Sequence, residues 1–186
     1  MLLNYLGGKM KTNVLMPIGI QGVGKSTFLR NYIAEKKIAR ISRDDIRTEV
    51  NGGEATFIPE NEPRIWEIAL QRIGEVLQVS LGEGAKIISL DMTNIDRKSR
   101  KPFFEVLVEF AKSHPIILRI FNFSNDVDLA MQRQATRSRK VEREIVKQYA
   151  AKREEFSPSE IQGNNVEIHI YDVNIAGEYK EVIPVS

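Results

Sequence analysis

The stretch "GIQGVGKST", residues 19–27, sits between the apolar run "NVLMPI" and the amphipathic run "FLRNYIAEKK". Gly19, Gly24, Lys25 and Ser26 have the spacing Gly-x-x-x-x-Gly-Lys-Ser, which between a strand and a helix forms a phosphate-binding loop. Its glycines let backbone N–H groups surround phosphates, and the helix N-terminus adds its positive end. In this reading Gly19, Gly22, Val23, Gly24 and Thr27 line the phosphates, Lys25 neutralises the β and γ groups, and the Ser26 hydroxyl ligates Mg²⁺. Such a loop binds a donor triphosphate and leaves the acceptor to be named by other residues.

Three further groups could carry chemistry beside the loop. In "SRDDIR", residues 42–47, Asp44 and Asp45 are both of the type that takes a proton from an attacking hydroxyl. Arg47 follows Asp44 by three, on the same side of a helical turn, where it could hold an anionic group of the acceptor. An acidic pair favoured by a helix dipole explains the same two aspartates without catalysis. In "LDMTN", residues 90–94, Asp91 ends a strand near the loop, where an Asp contacts Mg²⁺ or its waters or orients a neighbouring Arg. Asn94 or Asp96 could equally cap the next helix. Arg133 and Arg137, one turn apart with Arg139 beyond, could stabilise transition-state charge from a mobile segment, or lie on a solvated basic helix.

The elements that must position these groups alternate. Val14, Leu15, Met16 and Ile18 predict a buried strand, residues 25–36 a helix, "KIARIS" a strand ending at Ser42, and "RDDIRTEV" a turn and short helix. Gly52 and Gly53 break the pattern and introduce an acidic loop expected to be mobile through Pro59. A helix is predicted from Glu62 to Leu81, with Pro63 in its first turn and Trp66 as a core anchor rather than a stacking platform. Strand "KIISLD", a loop, and a helix carrying Pro102 in its early turns follow. Strand "PIILRIFNF", helices over 126–136 and 140–155, and a last strand "VEIHIYDV" complete the chain. No role is assigned to residues 170–186. Strand, loop and helix repeated with short connections predict an α/β fold, a parallel sheet of about five strands with helices on both faces. Ligands then bind beyond the carboxyl ends of the strands, which Gly19, Ser42 and Asp91 directly follow.

Composition narrows the class. The 186 residues suit one domain, 1–186, with residues 1–10 expected to form a flexible extension. Apolar residues make up 42% and charged residues 28%, ordinary for a soluble globular chain. No apolar run has the roughly 18–20 residues that span a bilayer, no secretory signal is read, and a cytoplasmic protein without a membrane partner is expected. The absence of cysteine excludes disulfides and thiolate chemistry, and His114 and His169 read as structural residues flanking strands. Net charge is only +2, but basic residues gather in 96–101 and 133–143 while 51–62 is acidic. Solvated helix faces explain these runs, and a polyanionic partner would use the basic ones.

Taken together and in order, "GIQGVGKST", "SRDDIR", "DMTN" and "RQATR", followed by "VEREIVKQYAAKREEFSPSE", resemble the 5′-hydroxyl polynucleotide kinases of the phage type, within the wider group of small P-loop kinases. The likeness runs from about Asn13 to Glu160. It implies a P-loop kinase fold with a helical lid at about 126–155, ATP and Mg²⁺ as cofactors, and the 5′-hydroxyl end of RNA or DNA as acceptor, in a setting such as nucleic-acid repair. It also implies roles: Asp44 as general base, Arg47 on the phosphate 3′ to the acceptor nucleoside, Asp91 in support of the acceptor site with Thr93 and Asn94 beside it, and Arg137, with Arg133, on the donor phosphates. Val141, Ile145 and Tyr149 would pack the lid on the core. Gln21 and Val23 stand where these kinases often have Pro and Ser, and no Asp-x-Asp-Gly-Thr phosphatase signature follows. The "DMTN" form also occurs in small-molecule relatives, so a P-loop kinase of a nucleoside, sugar or nucleotide-sugar is the alternative. A nucleotide-binding regulatory module, in which Asp44 is dispensable, is the third reading. The sequence leaves oligomeric state and the choice of RNA or DNA undetermined.

Overall fold

Seven consecutive residues of "TNVLMPI" are buried on both faces of the strand they form, and this apolar run is the middle of a sheet. The computed structural model describes residues 5–6, 9–33, 38–83, 87–136 and 140–185. Strands β1 (Tyr5–Leu6) and β2 (Lys9–Met10) pair with each other, and β3 (Thr12–Ile18) starts the main sheet. Then follow α1 (Lys25–Ile33), β4 (Ile38–Ser42), α2 (Arg43–Val50), α3 (Glu62–Glu83), β5 (Ile87–Asp91), α4 (Arg97–Ala111) and β6 (Ile116–Asn122). Helices α5 (Val127–Gln134) and α6 (Arg143–Lys152) precede β7 (Val166–Val173) and β8 (Tyr179–Val185).

The main sheet has six strands in the order β4-β5-β3-β6-β7-β8. The first five run parallel, and β8 returns antiparallel on β7. The expected parallel sheet of about five strands is present, with "VEIHIYDV" as its last parallel strand, and a turn at Gly177, φ +85°, adds an antiparallel edge strand that the sequence did not predict. Pro184 in β8 is tolerated because an edge strand leaves one row of N–H groups unpaired. His169 lies within β7 rather than beside it, bonded to Glu167 and Glu181. Among the described residues no helix is long and apolar enough to cross a membrane.

Helices cover both faces. Ile65, Ala69, Ile73 and Leu77, four apart on α3, pack with Phe103 and Leu107 of α4 against Val14, Met16 and Ile18. On the other face Phe28 and Leu29 of α1, Ala130 of α5 and Val146 of α6 meet Leu15 and Phe121. The chain steps from β3 out to β4, back through β5, and across to β6, so the order reverses at the carboxyl end of β3, where a crevice opens. The helices over 126–136 and 140–155 are present with shorter bounds. Helix α1 is described to Ile33, and the rest of the predicted 25–36 span lies outside the described residues.

Local signals fix the helix starts. The Asp96 carboxylate accepts from Ser99 N–H at 2.7 Å, and Asp126 from Asp128 and Leu129 at 2.8 and 3.1 Å. Asp96, and not Asn94, is therefore the cap of α4. Pro102 is the sixth residue of α4, beyond the four N–H groups that any helix leaves free, so its missing donor costs the helix a bond rather than falling where it costs least. Arg100, fully buried on α4, closes the fold. Its guanidinium grips both Glu160 oxygens at 2.7 Å and reaches the carbonyls of Asn94, Glu154 and Glu155 at 2.9, 3.1 and 3.4 Å.

Candidate functional site

The loop after β3 is tied to the segment after β5 and approached closely by α5. Gly19 N–H donates to the Thr93 carbonyl at 3.1 Å, tying the loop to the segment after β5. Gly22 and Gly24 have φ of +90° and +100°, which L side chains avoid. A Cβ on Gly22 would stand 2.5 Å from the Ala130 carbonyl of α5, and one on Gly24 would stand 2.9 Å from Arg133 Nη1. Lys25 is buried, and its Nζ donates to the Gly19 and Ile20 carbonyls at 2.8 and 2.7 Å. Val23, from the same loop, packs into the core beside α1.

Arg133, near the end of α5, reaches this loop. It donates Nη1 to the Val23 carbonyl at 2.5 Å and Nη2 to the Ile175 carbonyl in the β7–β8 turn. Between loop, α1 and that turn lies a cleft of about 600 Å³, lined in part by Gly24, Thr27, Tyr32, Arg133, Asn174 and Tyr179. Its outer wall is the antiparallel return that the sequence reading missed. Arg137 falls outside the described residues.

A chain of polar contacts leads from the loop to α2. Ser26 Oγ donates to Asp91 Oδ1 at 3.0 Å, and the other Asp91 oxygen accepts from Arg40 Nε at 2.8 Å. Arg40 Nη1 continues to Asp45. Burial lowers the Arg40 pKa, but Asp91 first and Asp45 second more than reverse it, leaving the guanidinium above its ordinary value. Asp91 is buried at the end of β5, opposite Ser42 in register, so it sits at the loop as well as near α2. The hydroxyl and carboxylate oxygens of Ser26 and Asp91 form a hard donor pair of the kind Mg²⁺ takes while keeping several waters.

Helix α2 presents the acidic pair. Ser42 Oγ accepts from Asp45 N–H at 3.3 Å and starts the helix, and both aspartates are exposed. Asp44 Oδ1 accepts from Arg47 Nη1 at 2.7 Å, three residues on, as their spacing predicts. Arg47 turns its remaining edge to Glu62 of α3, with Nε at 2.6 Å from Oε1 and Nη2 at 3.0 Å from Oε2. Arg43 also bonds Glu62 and lies 4.2 Å from the centroid of the Trp66 ring. Burial alone would raise the Glu62 pKa, but the two arginines hold it below the usual carboxylate range. Arg47 is raised, its burial outweighed by Glu62 and Asp44, whereas Arg43 is lowered by burial and by the neighbouring Arg47.

The structure thus brings Lys25, Ser26, Asp91 and Arg133 to the loop, and Asp44 and Arg47 to α2. Thr93 contributes its backbone carbonyl to Gly19. Asn94 is buried at φ +49°, with Nδ2 on the Pro17 and Leu90 carbonyls at 2.9 and 3.2 Å, where it pins β3 to β5. Trp66 packs on Phe103 at 5.1 Å, as a core anchor would. Arg40 and Glu62 were not singled out in the sequence. Arg40 lies two before Ser42 and so on the same strand face, a signal that period-two alternation contains. Glu62 pairs across two helices at a separation of 15 residues from Arg47, and no local pattern reports that.

A family model described as "AAA domain" (AAA_33) matches residues 14–156 of the chain. No curated protein matches it in sequence. Among solved structures, a chain of the "Pnkp1/Rnl/Hen1 RNA repair complex" is similar over 76% of this chain and 44% of its own length, with 19% identity and a TM-score of 0.60. A chain from another structure of the Pnkp1/Rnl/Hen1 complex is similar over 71% and 41%, with 22% identity and a TM-score of 0.53. An unliganded sugar kinase from Janibacter sp. HTCC2649 is similar over 85% of both chains, with 15% identity and a TM-score of 0.51. The chain spans less than half the length of the two RNA-repair chains it matches. At these identities the likeness is one of fold, that of the P-loop kinases.

Proposed function

The chain belongs to this AAA-domain family, and from that premise we propose that it is an ATP-dependent kinase that moves the γ-phosphate to the 5′-hydroxyl end of a polynucleotide. The observation that carries the reading is the chain Ser26–Asp91–Arg40–Asp45, which links the glycine loop to the helix that bears Asp44. The donor phosphates lie along the glycine loop, the Lys25 ammonium exchanges loop carbonyls for phosphate oxygens, and the cleft beside Arg133 and Tyr179 takes the nucleoside. Ser26 and Asp91 would hold Mg²⁺, which would supply neutralisation of charge on the phosphates. The 5′-oxygen attacks the γ-phosphorus while the bond to the β–γ bridging oxygen breaks and ADP leaves. Asp44 takes the hydroxyl proton, and Arg47 holds the phosphate on the 3′ side of the accepting nucleoside. Both aspartates meet an arginine, and Asp45 is the weaker candidate for base because its partner Arg40 is also held by Asp91, whereas the partner of Asp44 is Arg47, the residue assigned to the acceptor phosphate. Arg133, which borders the donor cleft, and Arg137 are assigned to the donor phosphates.

One observation favours the smaller-acceptor reading, a P-loop kinase of a sugar or nucleoside: Arg47 and Arg43 are already balanced by Glu62, which leaves less charge for a polyanion. Incubation with γ-labelled ATP and Mg²⁺ decides, with a 5′-hydroxyl oligonucleotide offered beside nucleosides and sugars. Label on the oligonucleotide is expected. Label only on a small molecule, or on nothing, overturns the proposal.

A further inference from the structure

Phe57 is the large apolar side chain that the acceptor side leaves in solvent, 58% exposed, in the acidic loop between α2 and α3. An isolated exposed apolar residue is ordinary. Its surroundings are not. The loop that carries it is bonded to the C-terminal end of α2: Asn51 Nδ2 donates to the Thr56 carbonyl at 2.8 Å, Gly53 N–H to Thr48 at 2.8 Å, and Asn61 Nδ2 to Asn51 Oδ1 at 2.7 Å. Asn51 itself caps α2 by donating its N–H to the Arg47 carbonyl. The Phe57 ring is therefore set by the helix that bears Asp44 and Arg47, and its centroid lies 5.9 Å from the Arg47 guanidinium carbon. That guanidinium is in turn hydrogen-bonded to Asp44. Proton acceptor, cation and aromatic ring thus follow one another across the site.

Resting on the kinase reading above, we infer that Phe57 is the platform on which the base of the 5′-terminal nucleoside stacks. A nucleoside spans this row with its own parts, placing the 5′-hydroxyl at Asp44, the 3′-side phosphate at Arg47 and the base beyond, separated from the 5′-oxygen by one sugar ring. Every base has a π-face, so the platform is tolerant of sequence and selects for the presence of a base rather than its identity. Phe57 is a specificity-determining residue for an acceptor that carries a nucleobase.

The test uses the full chain, ATP and two oligonucleotides of the same sequence, one intact and one whose 5′-terminal sugar keeps its hydroxyl but has no base. Phe57→Ala is expected to lower kcat/KM for the intact acceptor about 5- to 150-fold, the range for loss of one base–aromatic stack, chiefly through KM. The abasic acceptor should be used equally by wild type and Phe57→Ala, and Phe57→Trp should restore the intact one. Equal losses on both acceptors, or no loss on either, overturn the platform and leave the kinase reading in place. Absence of transfer by wild type to both oligonucleotides removes the polynucleotide reading and the platform with it. A thermal melt of Phe57→Ala matching wild type shows that an exposed ring has been removed without loss of fold.

Discussion

Two arginines on this chain grip both oxygens of a glutamate through Nε and Nη2, and they do opposite things. Arg100 is fully buried; its five hydrogen bonds, two to Glu160 and three to backbone carbonyls, match its five donors. It has no capacity left for a ligand and joins α4 to the segment behind α6. Arg47 is part-exposed. Among the described residues three hydrogen bonds use three of its five donors, and one of those goes to an exposed aspartate on its own helix. A saturated arginine holds a fold, whereas one shared with a carboxylate at the surface can exchange that partner for a substrate phosphate. The sequence reading already gives Arg47 to the acceptor, but it places Arg100 in a basic run that reads as a solvated face.

Substitution separates the roles. Arg100→Ala leaves the buried Glu160 with the Ser157 N–H and the longer Arg97 contact at 3.7 Å, removes its bidentate partner, and is expected to destabilise the fold by about 3–5 kcal/mol, read as the urea midpoint. A loss under about 1 kcal/mol would return Arg100 to the surface class. Arg47→Ala should cost the fold far less, because Glu62 keeps Arg43. It should lower kcat/KM for a 5′-hydroxyl oligonucleotide about 10- to 150-fold, the scale of one charged hydrogen bond. If Arg47→Ala unfolds the chain and spares activity, the contrast collapses.

The smallest effect is in pH. Glu62 has a folded pKa below its ordinary value, so its contribution to stability is present above the unfolded pKa and is lost as pH falls through the folded one. Glu62→Gln should therefore flatten the acid side of the stability profile relative to wild type. Parallel profiles would mean that the two arginines do not depend on that charge.

Much of this was legible because it is local. The loop, the strand that feeds it, the spacing of Asp44 and Arg47 and the period of α3 each lie within a window of a few turns. What was missed is non-local or weakly patterned. Glu62 meets Arg43 and Arg47 through the packing of α2 on α3, and Arg100 meets Glu160 across 60 positions. Strand β8, "YKEVIPV", lacks clean alternation and contains Pro184, so only its pairing with β7 reveals it. Phe57 stood in a loop expected to be mobile, and its meaning came from the hydrogen bonds that fix that loop to α2.

The central claim is that Asp44 takes the acceptor's proton while the loop at Lys25 and Ser26 binds the donor independently. Asp44→Asn, measured for ATP affinity by calorimetry and for label transfer to a 5′-hydroxyl oligonucleotide, tests it most directly. The account predicts unchanged ATP affinity with transfer reduced about 10²- to 10⁴-fold, the scale of a general base. Transfer at the wild-type rate, or loss of ATP binding together with transfer, would contradict it.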